Sequence, residues 1–140
     1  MKKNILMAFV LFIGLTALVS CNNAKKQYMN SFGQFVSQVE DGYRSYTLED
    51  WSWSWDQFQN FEDQFQVYQD KMSPDDIAYV ADLEHRYLNT LKKAPASVLG
   101  QLSPIISRFM DNGQEWVESV GEHLNGLMED FRELREMIGF

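Results

Sequence analysis

Apolar residues recur at steps of three and four along most of the chain, after an opening block that is apolar almost without a break. Tyr28, Phe32, Phe35, Val36, Val39, Tyr43 and Tyr46 fall on one helical face. A second stripe runs through Trp51, Trp55, Phe58, Phe61, Phe65, Tyr68 and Met72, and a third through Ile77, Val80, Leu83, Tyr87, Leu88 and Leu91. The boundaries carry their own signals. Thr47 followed by Asp50 is a variant capping box, a hydroxyl and a carboxylate that each satisfy a free backbone N–H of the first turn. Ser73-Pro74-Asp75-Asp76 combines an N-cap serine, a proline at the first helical position and two acids that complement the helix dipole. Lys92-Lys93-Ala94-Pro95 closes the third helix. Connections this short force antiparallel neighbours, so residues 27–93 are expected to form an up-down-up unit.

The rest of the chain, 96–140, reads less simply. Ala96 to Met110 is apolar but interrupted by Gly100 and by Ser103-Pro104, and Asp111-Asn112-Gly113 has turn composition. Trp116, Val120, Leu124, Leu127, Phe131, Leu134 and Ile138 make a final stripe. Ile106, Phe109, Gly113, Trp116 and Val120 keep its phase, so one bent helix from Pro104 to about Ile138 and two separate helices are both open readings. The only alternating stretch, Trp51 to Trp55, sits between a cap and a helical stripe and reads as helix. The pattern predicts an all-α fold: an antiparallel bundle of four or five helices in a single domain, 27–140.

Lys2 and Lys3 precede Ile5 to Val19, an apolar run shorter than the roughly 20 residues a membrane-spanning helix needs. Residues 1–20 therefore read as a signal peptide. Leu18-Val19-Ser20-Cys21 resembles the lipobox of bacterial lipoproteins. That resemblance implies cleavage before Cys21, a diacylglyceryl thioether on its sulfur and often a further acyl chain, such as palmitate, on the new amino terminus. Two or three such chains hold a protein stably on a bilayer, each buried methylene contributing about 0.8 kcal/mol. Cys21 is the only cysteine, so disulfides play no part in stability. Residues 21–26 are expected to be a short lipidated tether. The absence of Asp at position 22 points to the outer membrane of a Gram-negative cell, and if the bundle stands upright the Tyr46-Thr47 turn lies about 30 Å from the lipid, with Trp51, Trp53 and Trp55 at the membrane-distal end.

Charge narrows the partners. All 20 acidic residues follow the leader, which carries away two lysines, so the mature part sets ten basic residues against twenty acidic ones. Nucleic acid is disfavoured, because its binding rests on cationic contacts to phosphate. The membrane is expected as a partner through the lipid alone, and the pattern does not fix an oligomeric state.

Tyr28-Met29-x-x-Phe32-x-x-Phe35-Val36, Glu49-Asp50-Trp51, Ser73-Pro74-Asp75-Asp76 and Arg86-Tyr87 together resemble a family of small Bacteroidetes lipoproteins with a helical domain of no assigned function. The resemblance covers about residues 25–92 and implies location and fold, with no catalytic residues to carry over. The chain has His85 where members commonly have Gly.

Catalytic chemistry has few places to reside. A carboxylate-bridged metal pair needs two Glu-x-x-His motifs on facing helices. Asp82-Leu83-Glu84-His85 offers half of one, and Val120 stands three residues before His123, so no metal or other cofactor is expected. An envelope hydrolase would have to recruit His85 or His123 as its base, and a chaperone-like client binder is a further alternative. The candidate for partner binding is Trp53. It lies about 200° from Trp51 on the helical wheel, in line with Asp56, Gln57, Asn60 and Gln64. A tryptophan there either anchors a protein or glycan partner or is covered by the C-terminal segments.

Overall fold

Two capping boxes fix where the second and third helices start. Thr47 Oγ1 accepts from the Asp50 N–H at 3.2 Å while Asp50 Oδ2 accepts from the Thr47 N–H at 2.9 Å. Ser73 and Asp76 repeat the exchange at 3.1 Å in both directions, with Pro74 opening the helix. The structure, a computed structural model, describes residues 21–112 and 124–138. Among these residues it is all-α: α1 (Cys21–Gly42), α2 (Leu48–Tyr68), α3 (Pro74–Leu91), α4 (Ala96–Asn112) and α5 (Leu124–Ile138). Single 3-10 turns, Tyr43–Ser45 and Gln69–Lys71, follow α1 and α2.

Side-chain pairings give the directions. Tyr28 meets Phe61 and Tyr68 while Phe35 meets Trp53, so α1 and α2 are antiparallel. Lys25 pairs with Asp76 and Glu40 with Arg86, so α1 and α3 run the same way. The up-down-up unit follows.

Backbone spacing differs between neighbours. α3 lies closest to α1 and α5, whereas α2 stands further from α3 with ring pairs filling the gap. Phe58 stacks on Tyr87 at 4.5 Å and Phe32 on Phe61 at 4.7 Å. Trp55, Phe109 and Phe131 form a second cluster that joins α2, α4 and α5. α1 and α3 approach closely at Gly33, where a Cβ would come within 2.5 Å of the Tyr79 hydroxyl.

Two details differ from the pattern's expectation. Residues 22–26, read as a tether, are helical within α1, and Lys25 reaches across to α3. α4 also runs unbroken through Pro104. Proline removes an N–H and crowds the carbonyl four residues earlier. That residue is Gly100, which is exposed like Pro104 and has open space around it, so water can serve the freed carbonyl. Whether residues 104–138 form one helix or two turns on 113–123, which lie outside the described residues.

Candidate functional site

The three tryptophans of α2 go to three different neighbours. Trp51 packs on Tyr46 and Tyr43, Trp55 on Phe109 and Phe131, and Trp53 on Phe35 of α1 at 6.0 Å, edge to face. Trp51 and Trp55 are fully buried, and Trp53 is half-buried against the same core. A helical wheel gives the direction of a side chain but not which neighbour stands there, and α2 is flanked on more than one side. Trp53 keeps a partly exposed ring beside Phe35 and packs against the core.

His85 is a strut between α3 and α5. Its Nδ1 lies 2.8 Å from Asp130 Oδ2, and its Nε2 lies 2.9 Å from the Asn89 amide nitrogen. An amide nitrogen only donates, so Nε2 accepts and Nδ1 carries the proton given to Asp130. Lys92 extends the network, reaching Glu133 at 2.7 Å and Asp130 at 3.5 Å. Both imidazole nitrogens are therefore engaged, Nδ1 across to α5 and Nε2 with Asn89 of its own helix. His123 lies outside the described residues. Among the described residues no group of three or more His, Cys, Asp or Glu side chains is placed to hold a metal ion.

Between α1 and α3 runs a groove of about 540 Å³ lined by Asn30, Gly33, Gln34, Gln38, Tyr79 and Arg86. Arg86 is not free there. Its Nε donates to Glu40 at 3.2 Å, a second nitrogen of the fork reaches the same carboxylate, and Asp82 stands at 3.8 Å. The i, i+4 partner visible in sequence, Asp82, is thus the looser of its two acids.

The least expected feature is a pair of acids inside the bundle. Glu62 of α2 is 2 % exposed and Glu84 of α3 is fully buried. Burial and the neighbouring Glu84 carboxyl push Glu62 well above the ordinary carboxylate range. Two ionised carboxylates have no hydrogen to offer each other. A protonated Glu62 has a hydrogen to offer the Glu84 side chain, which adds to that rise. Tyr28 closes this region from α1: its hydroxyl donates to the Phe61 carbonyl at 2.9 Å, and burial together with the two glutamates raises its own pKa.

Sequence reasoning passed over Glu62 and met Glu84 only as part of half a metal motif, because an acid reads as solvated surface. A positional signal existed. Glu62 stands four residues after Phe58 and three before Phe65, and Glu84 four after Val80 and three before Tyr87, so each lies inside an apolar stripe. Comparison of the chain with known protein families, with curated proteins and with solved structures finds no match.

Proposed function

We propose that the protein is a lipid-anchored helical module of the cell envelope, attached to the outer membrane through Cys21 and doing binding or structural work there. The observation that carries this reading is Leu18-Val19-Ser20-Cys21 running directly into α1. None of the described helices is long and apolar enough to cross a membrane, so acyl chains on Cys21 would supply the attachment.

Local geometry supports an upright stance. Lys25, one turn beyond Cys21, donates to Asp76 at 2.8 Å and to the Lys71 carbonyl at 3.1 Å. The lipid-bearing turn is thereby tied to the start of α3 and to the Gln69–Lys71 turn, which together would face the bilayer. α1 has 22 residues, about 33 Å of rise, and would hold the Tyr43–Ser45 turn that far from the lipid. The exposed part of Trp53 would then be open to a protein or glycan partner.

Labelling with a palmitate analogue tests the anchor. Cys21→Ser is expected to lose both the label and membrane sedimentation, and unchanged sedimentation of this variant would refute the reading. A photo-crosslinker at position 53 in living cells tests the partner side, with adducts confined to the protein's own helices counting against an exposed anchor.

A further inference from the structure

α1 carries a row of amides along the groove it shares with α3. Asn30, Gln34 and Gln38 line that groove and recur one turn apart, about every 6 Å along the helix. None of the three hydrogen-bonds to another described residue. Ser37 and Asp41, again four residues apart, line the same groove from α1, while Tyr79 and Arg86 line it from α3. From Asn30 to Asp41 the helix rises about 16 Å, a length that suits a short linear ligand.

Tyr79 stands apart from the other rings of the bundle. At 40 % exposed it is the one aromatic among the exposed large apolar side chains of the described residues. It belongs neither to the buried core nor to the half-buried rings packed against that core. Its hydroxyl lies over Gly33, where a Cβ would come within 2.5 Å. Glycine is unfavourable inside a helix. Here it lets a ring from α3 reach the surface of α1.

Charge and polarity set what can enter. Arg86 is held by both oxygens of Glu40 and faces Asp82 as well, so its positive charge is already met. Asp41 adds a further acid, and an anion would meet a surface of net negative charge. An extended peptide is recognised by pairing with a sheet edge, and an amphipathic helix by an apolar groove. Two helices lined with amides offer neither. A carboxamide both donates and accepts, as a sugar hydroxyl does, and the negative face of an aromatic ring complements the C–H face of a pyranose. The groove's volume of about 540 Å³ falls within the range of small-ligand sites, about 300–1,000 Å³.

We propose that this groove binds a neutral oligosaccharide, with Tyr79 stacked on a sugar ring and Asn30, Gln34 and Gln38 bonding hydroxyls of successive units along α1. Tyr79 marks the end near Gly33, and the Arg86–Glu40 pair marks the other. The inference uses neither Cys21 nor Trp53, so its failure and the failure of the lipid-anchored reading are separate results.

The test is affinity electrophoresis of the full-length protein in gels containing starch, hydroxyethyl cellulose, xylan or galactomannan, with pectate as an acidic control and casein as a polypeptide control. The expected result is retardation by at least one of the neutral glycans and by neither control. Tyr79→Ala should weaken that binding by about tenfold or more, as truncating a central aromatic contact does. Tyr79→Phe keeps the ring and should bind like wild type, and Gln34→Ala, at an exposed position, should weaken binding while leaving the helical circular dichroism unchanged. Retardation by none of the neutral glycans, or by pectate or casein alone, would overturn the proposal. Undiminished binding in a folded Tyr79→Ala would place the sugar elsewhere and overturn it too. If Tyr79→Ala does not fold, Gln34→Ala decides in its place, with undiminished binding again counting against the groove.

Discussion

The two seams made by α3 are built from opposite materials. Against α1 the backbones come close, at Gly33, and the ties are polar and near the surface: Lys25 with Asp76, Arg86 with Glu40. Against α2 the backbones stand apart, and the space holds stacked rings, the Ser54–Tyr87 hydroxyl contact at 3.0 Å and the Glu62–Glu84 pair. Solvated ion pairs contribute little and weaken with salt, whereas buried rings and buried acids carry large energies of either sign. The difference also gives the seams opposite responses to pH. The hydrogen bond from Lys25 and the Ser73 N–H hold Asp76 below the ordinary carboxylate range, so its contribution is present above that range and is lost as pH falls. Glu62 is raised, so its contribution is present in acid and is lost as pH climbs.

The largest expected effect comes from emptying the ring-filled seam. Phe58→Ala removes the partner of Tyr87 and should cost about 3–5 kcal/mol in chemical denaturation. Tyr87→Phe keeps the stack and removes only the hydroxyl, for an expected loss of about 1 kcal/mol, because Ser54 still donates to the Trp51 carbonyl at 2.8 Å.

On the α1–α3 side, Gly33→Ala sets a helix-propensity gain of about 1 kcal/mol against displacement of the Tyr79 hydroxyl. The single variant should therefore lie near wild type, and the gain should emerge when Tyr79→Ala is added; additive effects in this cycle would deny the close approach. Smallest of all, Lys25→Ala should lower stability by less than about 1 kcal/mol, with the difference shrinking further in high salt. A larger loss there would erase the contrast between the seams.

Much of the frame was legible in the sequence because short-range rules decide it. Thr47 with Asp50 and Ser73 with Asp76 form the boxes their spacing announces, and the Phe and Tyr stripes become the core. Pro104 was read as an interruption, since a sequence does not show that Gly100 and water can absorb its missing hydrogen bond. Trp53 was read by angle as lying on a polar face, and the arrival of Phe35 from α1 is a tertiary fact. Glu62 and Glu84 were hardest to see. Each is an ordinary acid in its own helix, and only the pairing of α2 with α3 brings a second carboxyl against Glu62.

Carbon-detected NMR titration of the side-chain carboxyls in the unmodified full-length protein follows both seams at once. The expected result is a Glu62 carboxyl that keeps its proton well above about pH 4.3, beside an Asp76 carboxyl that remains ionised below about pH 3.9. If both titrated at those ordinary values, the opposed pH responses of the two seams would be contradicted.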